Sequence, residues 1–377
     1  MKNYDTIIVG GGIIGLATGF YLTKFGKKVL VIEKRYPGAG STGRCIGGIR
    51  QQFSTSGTIQ LARESLNLFK ELEKEFGFSV EFCQSGYLLL AHTEEQKSIF
   101  LKNIEIQKSF GINVEFISAK DIKKEFPYVN TEGILGGAFS PEDGQAFPFL
   151  VLKGFIRGIT KNGGEIITET EVSSLIEQNG KIKGVKLSNG KIINSEIVIN
   201  AAGPWAKELS ETVDIELPFV PERHEAFITV KIKKFDPIIP MLVDYRKDGC
   251  YFNQRINGQI IGCYTPVPNY PGKSTKETFE FLYEMSRRTV RLVPALEKVH
   301  VLRQWAGSYT MTPDGNPVID KTEIEGYFVA GGMSGHGFML GPATGKLLAS
   351  LIAEDKFYIN MSEFSLNRKF QSKELLK

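Results

Sequence analysis

An apolar strand, Asp5-Thr6-Ile7-Ile8-Val9, runs straight into Gly10-Gly11-Gly12-Ile13-Ile14-Gly15 and then into a helix-period stretch reaching Phe25. A chain that opens this way is constrained to a strand, a tight turn and a helix that together bind a dinucleotide. Gly10 permits the turn, Gly12 lets the backbone approach a pyrophosphate, and Gly15 lets the helix lie close to the strand. N–H groups at the helix start face the anion. The next strand, Lys28 to Ile32, ends in Glu33, 18 residues past Gly15, where a carboxylate can accept both ribose hydroxyls.

The 377 residues suit about two domains sharing an interface. Hydrophobic residues at 42% and charged residues at 23% argue against disorder or a fibrous repeat. A net charge of +4 with scattered lysines gives no basic stripe for nucleic acid, though a mild positive field suits an anionic substrate. The lysine-rich tail reads as a solvated end. Cys45, Cys83, Cys250 and Cys263 form no CxxC pair and meet no histidine at metal-ligand spacing, so neither a disulfide framework nor a metal site is expected. The first strand begins too close to Met1 for a removable leader, and no apolar run reaches membrane-spanning length. Reduced thiols in the cytoplasm are the resulting expectation.

Periodicity places helices over Gly57 to Phe76, Glu94 to Phe110 and Pro148 to Asn162, with a strand from Gly86 to Ala91. Glu171 to Ala202 alternates short β-type runs around Asn179-Gly180 and Asn189-Gly190, the preferred dipeptides of tight hairpins, and predicts a β-meander. It feeds a buried strand, Ile197 to Asn200, and a glycine turn, Ala201-Ala202-Gly203. From Leu217 to Thr312 the pattern is mostly β, with a hairpin from Tyr251 to Tyr264 turning at Asn257-Gly258 and a helical piece from Thr275 to Val293. Tyr327 to Gly332 returns to buried strand, followed by a loop and a helix beginning near Pro342, a favoured first-turn residue.

Strand-to-glycine units at the start, middle and end of the chain predict an α/β plus α+β fold. A discontinuous Rossmann-type FAD-binding domain takes residues 1–80, 140–216 and 313–377; a β-sheet-rich substrate domain takes 81–139 and 217–312. The terminal segment Gly331 to Met339 is a second glycine-rich surface before a helix, and its expected guest is an isoalloxazine. The positive pole of that helix would stabilise the anion formed at the flavin's pyrimidine edge on reduction.

Gly10 to Gly15, Glu33-Lys34, Gly40-Ser41-Thr42-Gly43-Arg44, Ala201-Ala202-Gly203-Pro204-Trp205, Trp305-Ala306-Gly307, Thr312-Pro313-Asp314-Gly315 and Ser334-Gly335-His336-Gly337-Phe338 together resemble the FAD-dependent amine oxidoreductases of the D-amino-acid oxidase superfamily. The resemblance spans nearly the whole chain. It is strongest to the sarcosine oxidase β-subunit group, including archaeal dye-linked L-proline dehydrogenase β-subunits, through Ile32 to Arg35 and Arg44-Cys45 to Phe53.

This resemblance implies FAD contacts at Gly10, Gly12, Ile13, Ile14, Gly15, Glu33, Lys34, Ser41, Thr42, Arg44, Gly48, Ile49, Val172, Ala201, Ala202, Gly203, Trp205, Gly307, Gly332, Gly335, His336, Gly337, Phe338 and Met339. It implies a substrate-carboxylate role for Arg50, which a guanidinium fork suits. Tyr251 matches a pocket-lining tyrosine of glycine oxidase, and Tyr309 stands where glycine and D-amino-acid oxidases carry their carboxylate arginine. His336 reads first as a loop residue steadying the flavin, with a catalytic base as the sharper alternative. His224 reads as a hydrogen-bonded strand histidine and Cys45 as structural.

Departures from the family matter as much. The cysteine that tethers FAD in monomeric sarcosine oxidase aligns with Gly307, so the FAD is expected to be noncovalent. The lysines of those oxidases align with Ile260 and Met339, which favours a dehydrogenase using a dye, quinone or protein carrier over one using O2. A second flavin, FMN, at a subunit contact stays open, although Gly144 to Pro148 lacks the histidine that holds it covalently. The expected reaction is hydride transfer from a secondary or primary amino acid, such as L-proline or sarcosine, to flavin N5, giving an imine. Alternatives are an amino-acid oxidase, a 2-hydroxy-acid or glycerol-phosphate dehydrogenase, and a non-catalytic flavin subunit. The expected partners are a small amino acid, an electron acceptor, and a second subunit or another copy of the chain.

Overall fold

The opening strand, Thr6–Val9, is buried along its whole length because both faces of its sheet are covered. Ile8 points with Val31 and Ile199 into one apolar cluster built largely of helices. Ile7 and Val9 point with Leu30 and Val198 into another, beneath the meander. Alternate residues serve opposite faces, so the strand reads as continuously apolar. The computed structural model describes residues 4–356 and 359–376.

Six strands form the central sheet in the order Val318–Lys321, Tyr327–Gly331, Val198–Asn200, Thr6–Val9, Val29–Ile32 and Glu165–Ile167. All pairings are parallel except that of the Val318 edge strand. The helices are α1 (Ile13–Lys24), α2 (Ser56–Phe76), α3 (Glu94–Ser109), α4 (Ala119–Glu125), α5 (Pro148–Lys161), α6 (Ala206–Glu211), α7 (Phe279–Leu292) and α8 (Gly337–Glu354). Helices α1 and α8 lie against each other, and a Cβ on Gly345 would meet the Ala17 backbone at 2.6 Å. Among the described residues no helix is long and apolar enough to cross a membrane.

A second sheet has eight strands, in the order Val301–Met311, Val220–Thr229, Ile260–Cys263, Tyr251–Gln254, Met241–Asp244, Tyr87–Ala91, Gly136–Ser140 and Glu115–Ser118. It packs its own core against α4 and α7. The meander is a three-stranded antiparallel sheet, Val172–Gln178, Lys181–Leu187 and Ile192–Asn194. Asn179 and Gly180 supply the left-handed backbone of its turn, at φ 54° and 74°.

Three expectations change. Helix α8 begins at Gly337, five residues before Pro342; Gly337, which reads as loop, is carried into the helix because Phe338 and Leu340 are buried in the core, while Gly332 and Gly335 stay in the loop. Helix α7 starts later than Thr275, because the Thr278 hydroxyl caps it by accepting from the Phe281 N–H at 3.2 Å. The lysine-rich tail is not simply solvated: Glu374 and Leu376 are each only 2% exposed. The Glu374 carboxylate accepts from the Ser54 N–H at 2.9 Å and the Ser54 hydroxyl at 2.8 Å.

Candidate active site

Where the first strand ends, Gly10 takes φ +115°, and a Cβ there would collide with the Ala201 carbonyl. A Cβ on Gly15 would strike the Gly10 carbonyl oxygen, so α1 sits tight on the turn. The Ile13 N–H at the start of α1 donates to the Thr42 hydroxyl at 3.1 Å. Glu33 is pinned at the end of the neighbouring strand: Oε2 accepts from the Gly11 N–H at 2.7 Å and Oε1 from the Arg35 N–H at 2.9 Å.

These groups border a cavity of about 600 Å³, within the roughly 300–1,000 Å³ typical of cofactor sites. Of the expected contacts, Gly10, Gly12, Ile13, Ile14, Glu33, Lys34, Ser41, Thr42, Val172, Ala201, Ala202, Gly203, Trp205, Gly332, Gly335, Gly337 and Phe338 line it, as does Tyr309. Gly15, Arg44, Gly48, Ile49, Gly307, His336 and Met339 do not line it. Arg44 turns back into its own loop, donating to the Ala39 and Gly40 carbonyls, and its Cβ lies 2.9 Å from where a Gly307 Cβ would stand. Gly48 and Ile49 pair with Gln145 and Gly144, and Met339 packs into the core.

Sequence reasoning missed several lining residues. Ala39, Gly40 and Cys45 adjoin the Ser41 loop and were within reach; burial pushes the Cys45 thiol up to about 12, leaving it an inert part of the wall. Thr170, Glu171, Ser173 and Ser188 come from the meander, brought over because the Thr170 N–H donates to the Glu33 carbonyl at 3.0 Å and the Glu169 N–H to the Arg35 carbonyl at 2.8 Å. Ser308 and Thr310 flank Tyr309; the Ser308 carbonyl accepts from the Ser41 hydroxyl at 2.6 Å.

At the far end, Gly332, Ser334 and Gly335 take φ values of 63°, 47° and 92°. Two glycines make most of that left-handed run cheap, and the Ser334 N–H is held by the Thr310 carbonyl at 2.8 Å. The loop delivers the N-terminus of α8, with Gly337 and Phe338, to the cavity. Bare glycine backbone at both helix starts, a cavity between them and a carboxylate at the Glu33 end fit FAD.

Arg50 lies beneath this loop, only 5% exposed. Its Nη1 donates to the Gln52 carbonyl at 3.0 Å, and its Nη2 reaches His336 Nε2 at 3.0 Å and the Leu376 carbonyl. A guanidinium only donates, so His336 Nε2 accepts and the ring's hydrogen resides on Nδ1. The Arg50 fork also lies over the Phe53 ring, 4.5 Å from its centroid. Tyr251 and Tyr309 join hydroxyls at 2.8 Å, and burial raises both phenols well above their usual range. His224 does lie in a strand, but its ring stacks on Tyr309 at 3.9 Å. The expected hydrogen bond is missing: His224 Nδ1 is buried without a partner among the described residues. Burial lowers this imidazole to about 4.

Two glycine-rich helix starts facing one cavity define a nucleotide-dependent oxidoreductase with room for a cofactor longer than a mononucleotide. The family model described as FAD dependent oxidoreductase (DAO) matches residues 5–351, and the chain belongs to that family. It is an FAD-dependent oxidoreductase. Sarcosine oxidase subunit beta of Rhizobium meliloti (strain 1021) is 30% identical over 374 residues, covering 97% of this chain and 88% of that one. Glycine oxidase of Geobacillus kaustophilus (strain HTA426) is 27% identical over 374 residues, covering 97% of each. The crystal structure of L-proline dehydrogenase from P. horikoshii superposes with a TM-score of 0.91 at 36% identity, covering 97% of each chain. The resemblance to sarcosine oxidase β-subunits and archaeal proline dehydrogenases is thus borne out, and amino-acid oxidation is the activity these names share.

Proposed function

We propose that this enzyme oxidises a secondary amino acid of the proline or sarcosine type to an imine and passes the electrons to a carrier. The observation that carries this reading is a buried guanidinium, Arg50, touching His336 directly before the N-terminus of α8. Bound FAD supplies the hydride acceptor. The protein's part is positioning and electrostatics: Arg50 takes the substrate carboxylate, the Tyr251–Tyr309 pair presents hydroxyls, and the N-terminus of α8 offers a positive pole. The substrate nitrogen must be unprotonated for its lone pair to stabilise the developing iminium, so the rate rises with pH.

The carrier reading is supported by Ile260, fully buried and apolar, where the resemblance would place an oxidase's lysine. Noncovalent FAD is supported by Gly307, which offers no thiol. The proposed division into an FAD-binding unit and a substrate unit is supported by the separate sheets. A second subunit, with FMN at the contact between subunits, belongs to the same reading; relatives named as β-subunits support the second subunit. A cytoplasmic setting is supported by four unpaired cysteines.

The test is anaerobic bleaching of the yellow protein by single amino acids. Proline or sarcosine should bleach it, and a dye should restore colour faster than air. A flavin that no amino acid reduces would overturn the reading.

A further inference from the structure

Asp143 sits in the turn between the strands Gly136–Ser140 and Gly144–Gln145, with none of its surface exposed. A buried carboxylate is costly unless its oxygens are satisfied. Here Oδ1 accepts from the Gln51 N–H at 3.0 Å and from Gln51 Nε2 at 3.3 Å, while Oδ2 accepts from Gln52 Nε2 at 3.2 Å. The Gln52 carbonyl in turn accepts from Arg50 Nη1 at 3.0 Å. A continuous chain of hydrogen bonds therefore runs from Asp143 through the Gln51–Gln52 backbone to the guanidinium. Gln52 is also fastened to the Tyr87 carbonyl at 3.2 Å, so its amide has little freedom to swing.

We propose that Asp143 is the positioning residue that aims Arg50: its carboxylate fixes the Gln51–Gln52 turn against which the guanidinium is braced. The inference rests on the reading that Arg50 receives the substrate carboxylate. Asp143 does not itself reach the substrate, and no ion pair engages it among the described residues. The ionisable groups facing it are Arg50 from the braced segment and Tyr87 from the adjoining strand.

Burial pushes the Asp143 carboxyl up to about 7, against the pull of Gln52, Gln51 and Arg50. Above that pH the carboxylate accepts from all its donors. Below it, a proton occupies an oxygen that an N–H needs, and the turn loosens. Substrate affinity should therefore weaken as pH falls through about 7.

The experiment compares KM and kcat for the bleaching amino acid across pH 6 to 9 in wild type, Asp143→Asn and Arg50→Ala. Asp143→Asn keeps the shape but turns an amide donor toward the glutamine amides. It should raise KM about tenfold, lower kcat far less, and lose the part of the wild-type KM rise that occurs near neutrality. Substrate ionisation affects both enzymes equally, so the difference between their profiles reports Asp143. If Arg50→Ala raises KM while Asp143→Asn matches wild type in KM and pH profile, the positioning role is wrong and the Arg50 reading survives. If Arg50→Ala leaves KM unchanged, the reading itself fails and the inference falls with it. Should Asp143→Asn not hold FAD, Gln52→Leu keeps the carboxyl group in place and removes the amide that holds its Oδ2 and the Tyr87 carbonyl. Its KM should rise in the same direction, and an unchanged KM would overturn the proposal.

Discussion

The hydroxyls of Tyr251 and Tyr309 meet at 2.8 Å, although 58 positions separate them in the chain. Their strands are not neighbours: Ile260–Cys263 and Val220–Thr229 stand between them in the sheet. Long side chains bridge that gap over Cys263 and Ala226, the small residues that the register sets beside Tyr251 on the two intervening strands. Removing one hydroxyl leaves the other buried without this partner, at a cost of about 1–3 kcal/mol. Tyr251→Phe should raise KM by several-fold and leave FAD bound, as judged by the visible spectrum and steady-state kinetics.

Arg50 is expected to dominate recognition of an anionic substrate. Truncating one member of a buried charged contact costs about 2–5 kcal/mol, so Arg50→Ala should raise KM by roughly 10²-fold or more. Arg50→Lys should recover part of the loss, because a point charge lacks the fork that reaches Gln52 and His336 together. Equilibrium titration of the variants with a carboxylate inhibitor checks the effect independently of turnover.

Glu33 performs two tasks, fixing the Gly11 and Arg35 backbone N–H groups and facing the cavity. Glu33→Gln retains one acceptor oxygen and should weaken FAD binding about tenfold, whereas Glu33→Ala should weaken it further. Fluorescence titration of the apoprotein with FAD measures both. Neither change should alter which amino acid bleaches the reconstituted flavin.

His224 makes stability depend on acidity. Its folded value of about 4 lies below the unfolded value near 6.5, so the unfolded chain binds the extra proton first. The associated stability is complete above pH 6.5 and is lost as pH falls toward 4, amounting to about 2 kcal/mol by pH 5. His224→Phe keeps an aromatic face for Tyr309 and should flatten that part of the decline. Thermal unfolding at pH 7 and pH 5 gives the comparison.

What could be read in the sequence was local. The turn from Gly10 to Gly15, the carboxylate of Glu33 and the Asn179-Gly180 hairpin depend on spacing and backbone conformation, which adjacent residues record. The start of α8 was misread because Pro342 carries a strong first-turn preference, while burial of Phe338 and Leu340 is a tertiary effect that overrides it. Contacts made by pairing between distant strands leave no local trace. Thr170 reaches the cavity only because the meander hydrogen-bonds to the Glu33 backbone, and Tyr251 finds Tyr309 through a register set by two other strands. Asp143 carried no motif at all; its role emerges only when the turn that holds it is packed against Gln51 and Gln52.

The docking of Leu376 has a consequence for how the arginine waits. A guanidinium kept from water would normally exact a large solvation penalty, yet the resting Arg50 rests on neutral oxygens and a ring nitrogen, with the Leu376 peptide among them. An ionised acceptor bonds roughly twice as strongly as an uncharged one. The tail thus occupies the seat lightly, and on the proposed reading an arriving anion would exchange a weak tenant for a strong one without leaving the cation bare.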